Sequence, residues 1–194
     1  TFAYPKTAVS AVGSDSESAT EVQSNNGVPK YNTYILQHND TEKPQTVITV
    51  TGNSGICDEG NAEIGECGGR DKVLLWKSNN GSVVWSFNAA KTGTYYMRLT
   101  YYSLNENAQD IELELLLDGK TPFFEAERLT FPKCFHSETE IQKDKNGNDI
   151  RPKQVAYDVW LTSPAQDDTG VTDKPFSFFL TEGEHKLTLV GALA

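Results

Sequence analysis

Trp160, Arg151 and Gln154 stand close together in the chain, and Asp167 and Asp168 follow soon after. That mixture of side chains has a chemistry. An aromatic ring stacks on the C–H face of a sugar, while planar polar groups hydrogen-bond its hydroxyls. In this reading Trp160 is the platform, Arg151 and Gln154 are donors, and Asp167 or Asp168 accepts. Trp76, at a strand end, and Tyr102, on an outer strand face, are second-choice platforms. The same letters also describe a brace, in which Arg151 pairs with an Asp to fix a long loop and Trp160 fills core. Paired charges commonly brace loops, so the brace weighs somewhat more. Trp85 shares a strand face with Val83 and Phe87 and reads as core.

Other chemistries fare less well. Cys57 and Cys67 bracket a Gly-rich stretch, and a disulfide between them is open in an oxidising compartment. Zinc wants Cys or His ligands at short spacings, and His38, His136 and His185 are scattered. Cys134 with His136 lacks the third, orienting group of a nucleophilic triad, so Cys134 reads as a half-buried thiol. The oxygen-rich run Asp144-Lys-Asn-Gly-Asn-Asp149 has its glycine misplaced for an EF-hand, and a turn on Asn146-Gly147 explains it equally. Glycoside hydrolysis needs two carboxylates facing across a cleft. Glu112 and Glu114 instead share one strand face, which reads as a solvated outer surface. Gly-x-Ser-x-Gly, His-Glu-x-x-His and phosphate-cradling Gly loops are absent, so the chain reads as non-catalytic.

The elements that must position these groups are strands. Beyond Gln45 the apolar period is two. Residues 111–117 are the clearest case, with Ile111, Leu113, Leu115 and Leu117 on one face against Glu112, Glu114 and Leu116. Strands are also expected at 46–51, 82–87, 94–102, 155–161, 176–180 and 185–190. Asp118-Gly119 is a hairpin pair, and Glu182-Gly183-Glu184 joins the last two strands. Residues 31–37 alone look helical, through Tyr31, Tyr34 and Ile35. Residues 10–30 are Ser/Glu/Asn/Gly-rich and read as a linker. The expected organisation is an N-terminal arm at 1–30 and an all-β, two-sheet antiparallel sandwich at 31–194.

The chain has 194 residues, with 17 basic and 27 acidic side chains and a net charge of −10. That sign argues against a nucleic-acid partner. No apolar run approaches the ~18 residues that span a bilayer, and a secretory leader is expected to have been removed already.

Four pieces occur in an order that resembles galactose-binding-like jelly rolls, the fold of many carbohydrate-binding modules. They are Gly81-Ser-Val-Val-Trp-Ser-Phe87, Lys91-Thr-Gly-Thr-Tyr-Tyr-Met-Arg-Leu-Thr-Tyr101, Leu115-Leu-Leu-Asp-Gly-Lys120 and Leu180-Thr-Glu-Gly-Glu-His-Lys-Leu-Thr-Leu189. A closer resemblance, over residues 31–190, is to the N-terminal β-sandwich module ahead of extracellular solute-binding proteins of ABC sugar importers in Gram-positive bacteria. It is carried by Asp118-Gly-Lys-Thr-Pro-Phe-Phe-Glu-Ala-Glu-Arg-Leu-Thr-Phe-Pro132, Asp144-Lys-Asn-Gly-Asn-Asp-Ile-Arg-Pro-Lys-Gln154, Trp160-Leu-Thr-Ser-Pro-Ala-Gln-Asp-Asp-Thr-Gly170 and Lys174-Pro-Phe-Ser-Phe-Phe-Leu180. The Cys57–Cys67 stretch departs from that family.

The resemblance implies an extracellular or cell-surface setting, secreted or else lipid-anchored, and a glycan partner. It also implies a solute-binding or enzyme domain in the same polypeptide. Modules of this kind often hold a structural calcium near their first strands, which brings forward Asp58, Glu59, Glu63 and Glu66 as ligands. The alternative for those four is a solvated loop. Three functions therefore stand: a non-catalytic carbohydrate-binding module of a sugar-import system, a spacer or protein-interaction β-domain with no glycan site, and an accessory domain of a polysaccharide-degrading enzyme. The first is preferred to the second by a small margin.

Overall fold

The computed structural model describes residues 27–57, 62–76, 81–104, 110–166 and 172–191. Most of the expected arm lies outside the described residues. A single α-helix, α1 (Tyr31–Gln37), opens the described chain. The strands follow in order: β1 (Ile56–Cys57), β2 (Ala62–Cys67), β3 (Arg70–Trp76), β4 (Ser82–Ala89), β5 (Gly93–Tyr96), β6 (Arg98–Ser103), β7 (Ile111–Leu117), β8 (Leu129–Phe131), β9 (Phe135–Ser137), β10 (Gln142–Lys143), β11 (Asp149–Ile150), β12 (Gln154–Ala156), β13 (Val159–Pro164), β14 (Ser177–Leu180) and β15 (Gly183–Gly191). Every pairing is antiparallel.

One layer is a five-stranded sheet in the order β1-β4-β15-β7-β8. Its inward residues include Val83, Trp85, Leu113, Leu115, Leu129, Phe131 and Leu189, all buried. The period of two read from the sequence turns these side chains to one face. Opposite them lie Tyr101 of β6 and Phe178 of β14, with Phe123, Phe176, Ala165 and the α1 tyrosines completing one core. The result is an all-β antiparallel sandwich.

Residues 93–103 form the spine of the second layer. β14 pairs with its first half and β13 with its second. Between them Ala165 N–H donates to Met97 O, and Phe176 N–H donates to Ala165 O. The chain therefore leaves at Ala165 and returns beside it at Phe176. Helix α1 covers β14. The Tyr31 hydroxyl accepts Ser177 N–H at 3.0 Å and the Tyr34 hydroxyl accepts Phe179 N–H at 2.7 Å. Amides two residues apart on a strand point the same way, so two phenols stand where another strand would pair. Burial pushes the Tyr34 hydroxyl above its ordinary pKa, against the lowering effect of the Phe179 amide.

The Asp118-Gly119 pair turns between β7 and the Leu117–Lys120 bridge with φ of 52° and 77°. Both values are positive, as a type I′ hairpin requires. Asp118 then reaches across to β15. Its Oδ1 accepts Lys186 N–H at 2.7 Å, and its Oδ2 lies 2.7 Å from His185 Nδ1. The other ring nitrogen of His185 donates to Thr181 O at 2.8 Å. Both nitrogens of a buried imidazole thus face oxygen acceptors, which is the arrangement of the protonated ring. Burial works to lower the His185 pKa but is outweighed by Asp118 and the Thr181 carbonyl, so it ends above its ordinary value. Burial likewise works to raise Asp118, and the Lys186 amide and His185 carry it below its ordinary value.

Three expected elements differ. The 94–102 strand is broken at Met97 into β5 and β6, which pair with β14 and β13 respectively. Residues 46–51 form no strand: Val47 is 84% exposed, and the segment offers the core no alternating apolar face. The 155–161 strand is two strands, because β12 pairs with β9 while β13 pairs with β6. Glu112 is not on a solvated surface either. It is half-buried and held by a two-point bond from Arg128, at 2.8 and 2.6 Å, while Glu114 accepts from Thr121.

Candidate functional site

β2 and β3 form a hairpin whose turn, Gly68-Gly69, has φ of 55° and 71°. The turn lies against the β6–β13 pair, where Trp160 and Tyr102 are cross-strand partners. Their ring centroids are 5.3 Å apart at 60°. Trp160 Nε1–H donates to Gly68 O at 2.9 Å, and the Tyr102 hydroxyl donates to Asp158 O at 3.0 Å. Arg70, the first residue of β3, holds its guanidinium 4.1 Å from the Trp160 ring centre, a cation–π contact.

Glycine is required at the contact point. A Cβ on Gly68 would fall 2.3 Å from Tyr102 Cε2 and 2.7 Å from Trp160 Nε1, and the backbone there is left-handed. Gly69 shares the left-handed backbone, but a Cβ there would meet nothing within 4 Å. The hairpin is thus seated on the two rings at Gly68, with Arg70 laid over Trp160.

The cluster presents an indole and a phenol on the β13–β6 pair and a guanidinium from the start of β3. Such a set can stack on the C–H face of a ring and hydrogen-bond its hydroxyls through the guanidinium fork. Two of the expected platforms, Trp160 and Tyr102, are brought together. Trp160 is half-buried on the outer side of its strand pair and is not a member of the core cluster.

The expected donors lie elsewhere in the chain path. Gln154 begins β12 and donates to Ser137 Oγ at 2.8 Å. Arg151 is exposed in the stretch between β11 and β12. No hydrogen bond or ion pair among the described residues joins either to Trp160. Asp167 and Asp168 lie outside the described residues. Trp76 does stand at a strand end, closing β3, where it is half-buried and packs against the core rather than beside Trp160, with Leu74 and Val73 half-buried on the same strand.

Cys57 and Cys67 stand as free cysteines in this structure, Cys57 in β1 opposite Val83 and Cys67 in the separate β2–β3 ladder opposite Arg70. Of the calcium candidates, Asp58 and Glu59 lie outside the described residues, and Glu63 and Glu66 belong to β2. Among the described residues no three Asp, Glu, His or Cys side chains converge in a way that could hold a metal ion. The second oxygen-rich run is a turn. Asp144 Oδ1 accepts Asn146 N–H and Asn148 N–H at 2.8 and 2.9 Å, and its Oδ2 accepts Asn148 Nδ2 at 3.0 Å. Those bonds lower the Asp144 pKa.

Arg70 and Gly68 were not candidates from sequence. The signal was a Gly-Gly pair at 68–69 between two short segments, which marks a two-residue hairpin.

No protein-family model and no curated protein matches the chain. Solved structures do resemble it. A family 35 carbohydrate-binding module from Clostridium thermocellum is 14% identical, covering 76% of this chain and 87% of that one at a TM-score of 0.48. A CBM35 from Paenibacillus barcinonensis is 10% identical, covering 76% and 88% at 0.43. A Podospora anserina GH26-CBM35 β-(1,4)-mannanase is 9% identical, covering 76% of this chain and 23% of that one at 0.36. At these identities the likeness concerns the fold alone.

Proposed function

We propose that this chain is a non-catalytic carbohydrate-binding module whose glycan site is the Trp160–Tyr102–Arg70 cluster. The observation that carries the reading is the pairing of two aromatic rings on the β6–β13 strand pair with a guanidinium laid over one of them from β3. Each ring's polar group is already satisfied by backbone, by Gly68 O for Trp160 and Asp158 O for Tyr102. We assign the stacking to the ring faces that Arg70 does not cover, with Arg70 supplying the donors. A preorganised platform loses little side-chain entropy on binding. The setting we propose is extracellular, within a solute-binding sugar-import system; its support is the sequence resemblance alone.

The spacer reading is favoured by a different aspect of the same geometry. Arg70 and the Gly68 turn already occupy one ring face and the indole N–H of Trp160. In that reading the cluster only seats the β2–β3 hairpin.

A glycan array probed with the purified chain, with and without calcium, separates the two. The module reading expects retained glycans whose signal falls at least tenfold in Tyr102→Ala and Arg70→Gln variants that keep their fold. No retention of any glycan by the folded wild-type chain would leave the spacer reading.

A further inference from the structure

A second cleft lies at the other end of the 93–103 spine, where α1 meets β5 and β14. It encloses about 210 Å³ and is lined by residues including Tyr31, Asn32, Asn39, Lys43, Tyr96 and Lys174. Tyr96 to Tyr102 spans six residues, about 20 Å of strand, so this cleft is separate from the Trp160 cluster.

Its lining runs against the rest of the molecule. The chain carries ten more acidic than basic side chains, yet the described lining holds two lysines and no carboxylate. The nearby Glu42 carboxylate is turned to Lys91, at 3.6 Å. His38 also lines the cleft. It stacks on Phe179 with centroids 4.1 Å apart, and burial pushes its pKa below the ordinary value, so the positive charge comes from Lys43 and Lys174. Tyr31 is 94% buried and lines the cleft beside Ser177, whose N–H its hydroxyl accepts. The phenol proton is thereby left to donate, and no described residue takes it. Tyr96, 54% exposed, supplies an aromatic wall with Ile35 and Pro175.

From this combination we propose that the cleft binds a small organic carboxylate with a planar or apolar body. The acid group takes the lysine ammoniums and the amides of Asn32 and Asn39, and the body lies against Tyr96, Ile35 and Pro175. At about 30 Å³ per water, the space equals roughly seven waters, which suits a molecule of about ten non-hydrogen atoms. For so small a ligand on a partly open site the affinity expected is about millimolar.

Benzoate is the probe, titrated at low ionic strength while the backbone amides of Asn32, Asn39, Thr94 and Lys174 are followed by NMR. Benzamide, its uncharged analogue, and inorganic sulfate are the comparison arms. Benzoate is expected to saturate shifts at these amides, with benzamide and sulfate each at least fivefold weaker. Lys43→Ala and Lys174→Ala, both at exposed positions, are each expected to weaken benzoate at least threefold. Tyr31→Phe tests the phenol proton, with its amide spectrum as the check on folding. Equal binding of benzamide would overturn the carboxylate assignment. Sulfate as strong as benzoate would overturn the apolar body, and unshifted cleft amides would overturn the site.

Discussion

Replacing Gly68 by alanine, beside the same change at Gly69, isolates the contact that seats the β2–β3 hairpin on Trp160. Both glycines have left-handed backbone, which costs an L-residue about 1–2 kcal/mol. Only at Gly68 does the new Cβ also meet ring atoms, at 2.3 Å from Tyr102 and 2.7 Å from Trp160. Neither distance is tolerable, so the rings or the turn must move. Displacement of the turn forfeits the Trp160 Nε1–Gly68 O bond, worth about 0.5–1.5 kcal/mol, and part of the ring packing. Gly69→Ala is expected to cost about 1–2 kcal/mol and Gly68→Ala about 1.5–3.5 kcal/mol, from the backbone and hydrogen-bond costs together. For a domain of this size each kcal/mol lowers Tm by about 2–4 °C. Urea denaturation supplies the free energies, and the Trp160 indole N–H resonance reports the local contact. In Gly68→Ala that proton should exchange faster and shift, while in Gly69→Ala it should stay. Equal costs for the two substitutions, with an unmoved indole resonance, would refute the seating.

Further expectations concern the core, the strand edge and pH. Phe123 is fully buried among the rings of Tyr31, Tyr34, Phe176 and Phe178, so Phe123→Ala should cost about 3–5 kcal/mol by urea denaturation. Tyr34→Phe strands the Phe179 amide without its acceptor and should cost about 1–3 kcal/mol, with faster exchange at that amide. His185 has a raised pKa, so its contribution is complete below about pH 6.5 and is lost as pH rises through the folded value. Asp118 has a lowered pKa, so its contribution is complete above about pH 4 and is lost as pH falls through the folded value. Asp118→Asn keeps an acceptor for Lys186 N–H and tolerates the left-handed turn. It should therefore cost about 1 kcal/mol near pH 5.5, a modest figure because Asp118 is half exposed. At pH 9 the cost should be smaller, and a pH-independent difference in urea midpoint would contradict the charged pair.

The layered architecture was legible wherever one face of a strand is buried. Ile111 to Leu117 and Val83 to Phe87 alternate because the five-stranded sheet has one dry side. Asp118-Gly119 announced its turn because two positive φ values leave few residue choices. Residues 46–51 misled for the converse reason. A β-branched run has strand propensity wherever it stands, but no strand among the described residues pairs with it. The β2–β3 hairpin was hidden because its exposed strand residues, among them Glu63, Glu66, Arg70 and Asp71, make it read as an acidic loop. At the site, Trp160 and Tyr102 were found by residue type, while Arg70 depends on a register between distant segments. Periodicity gives each strand's face but not its partner, so Arg70 could not be placed over Trp160 from the letters alone.

The most direct test of the glycan site follows the three indole N–H resonances during titration with a glycan that the chain retains. The expected result is a saturable shift of Trp160, with the Arg70 guanidinium resonance moving at the same midpoint. Trp85, buried and bonded to Thr51 O, and Trp76, packed against the core, should stay in place. Saturation with Trp160 and Arg70 unmoved, while other resonances shift, would contradict the assignment of this cluster as the site.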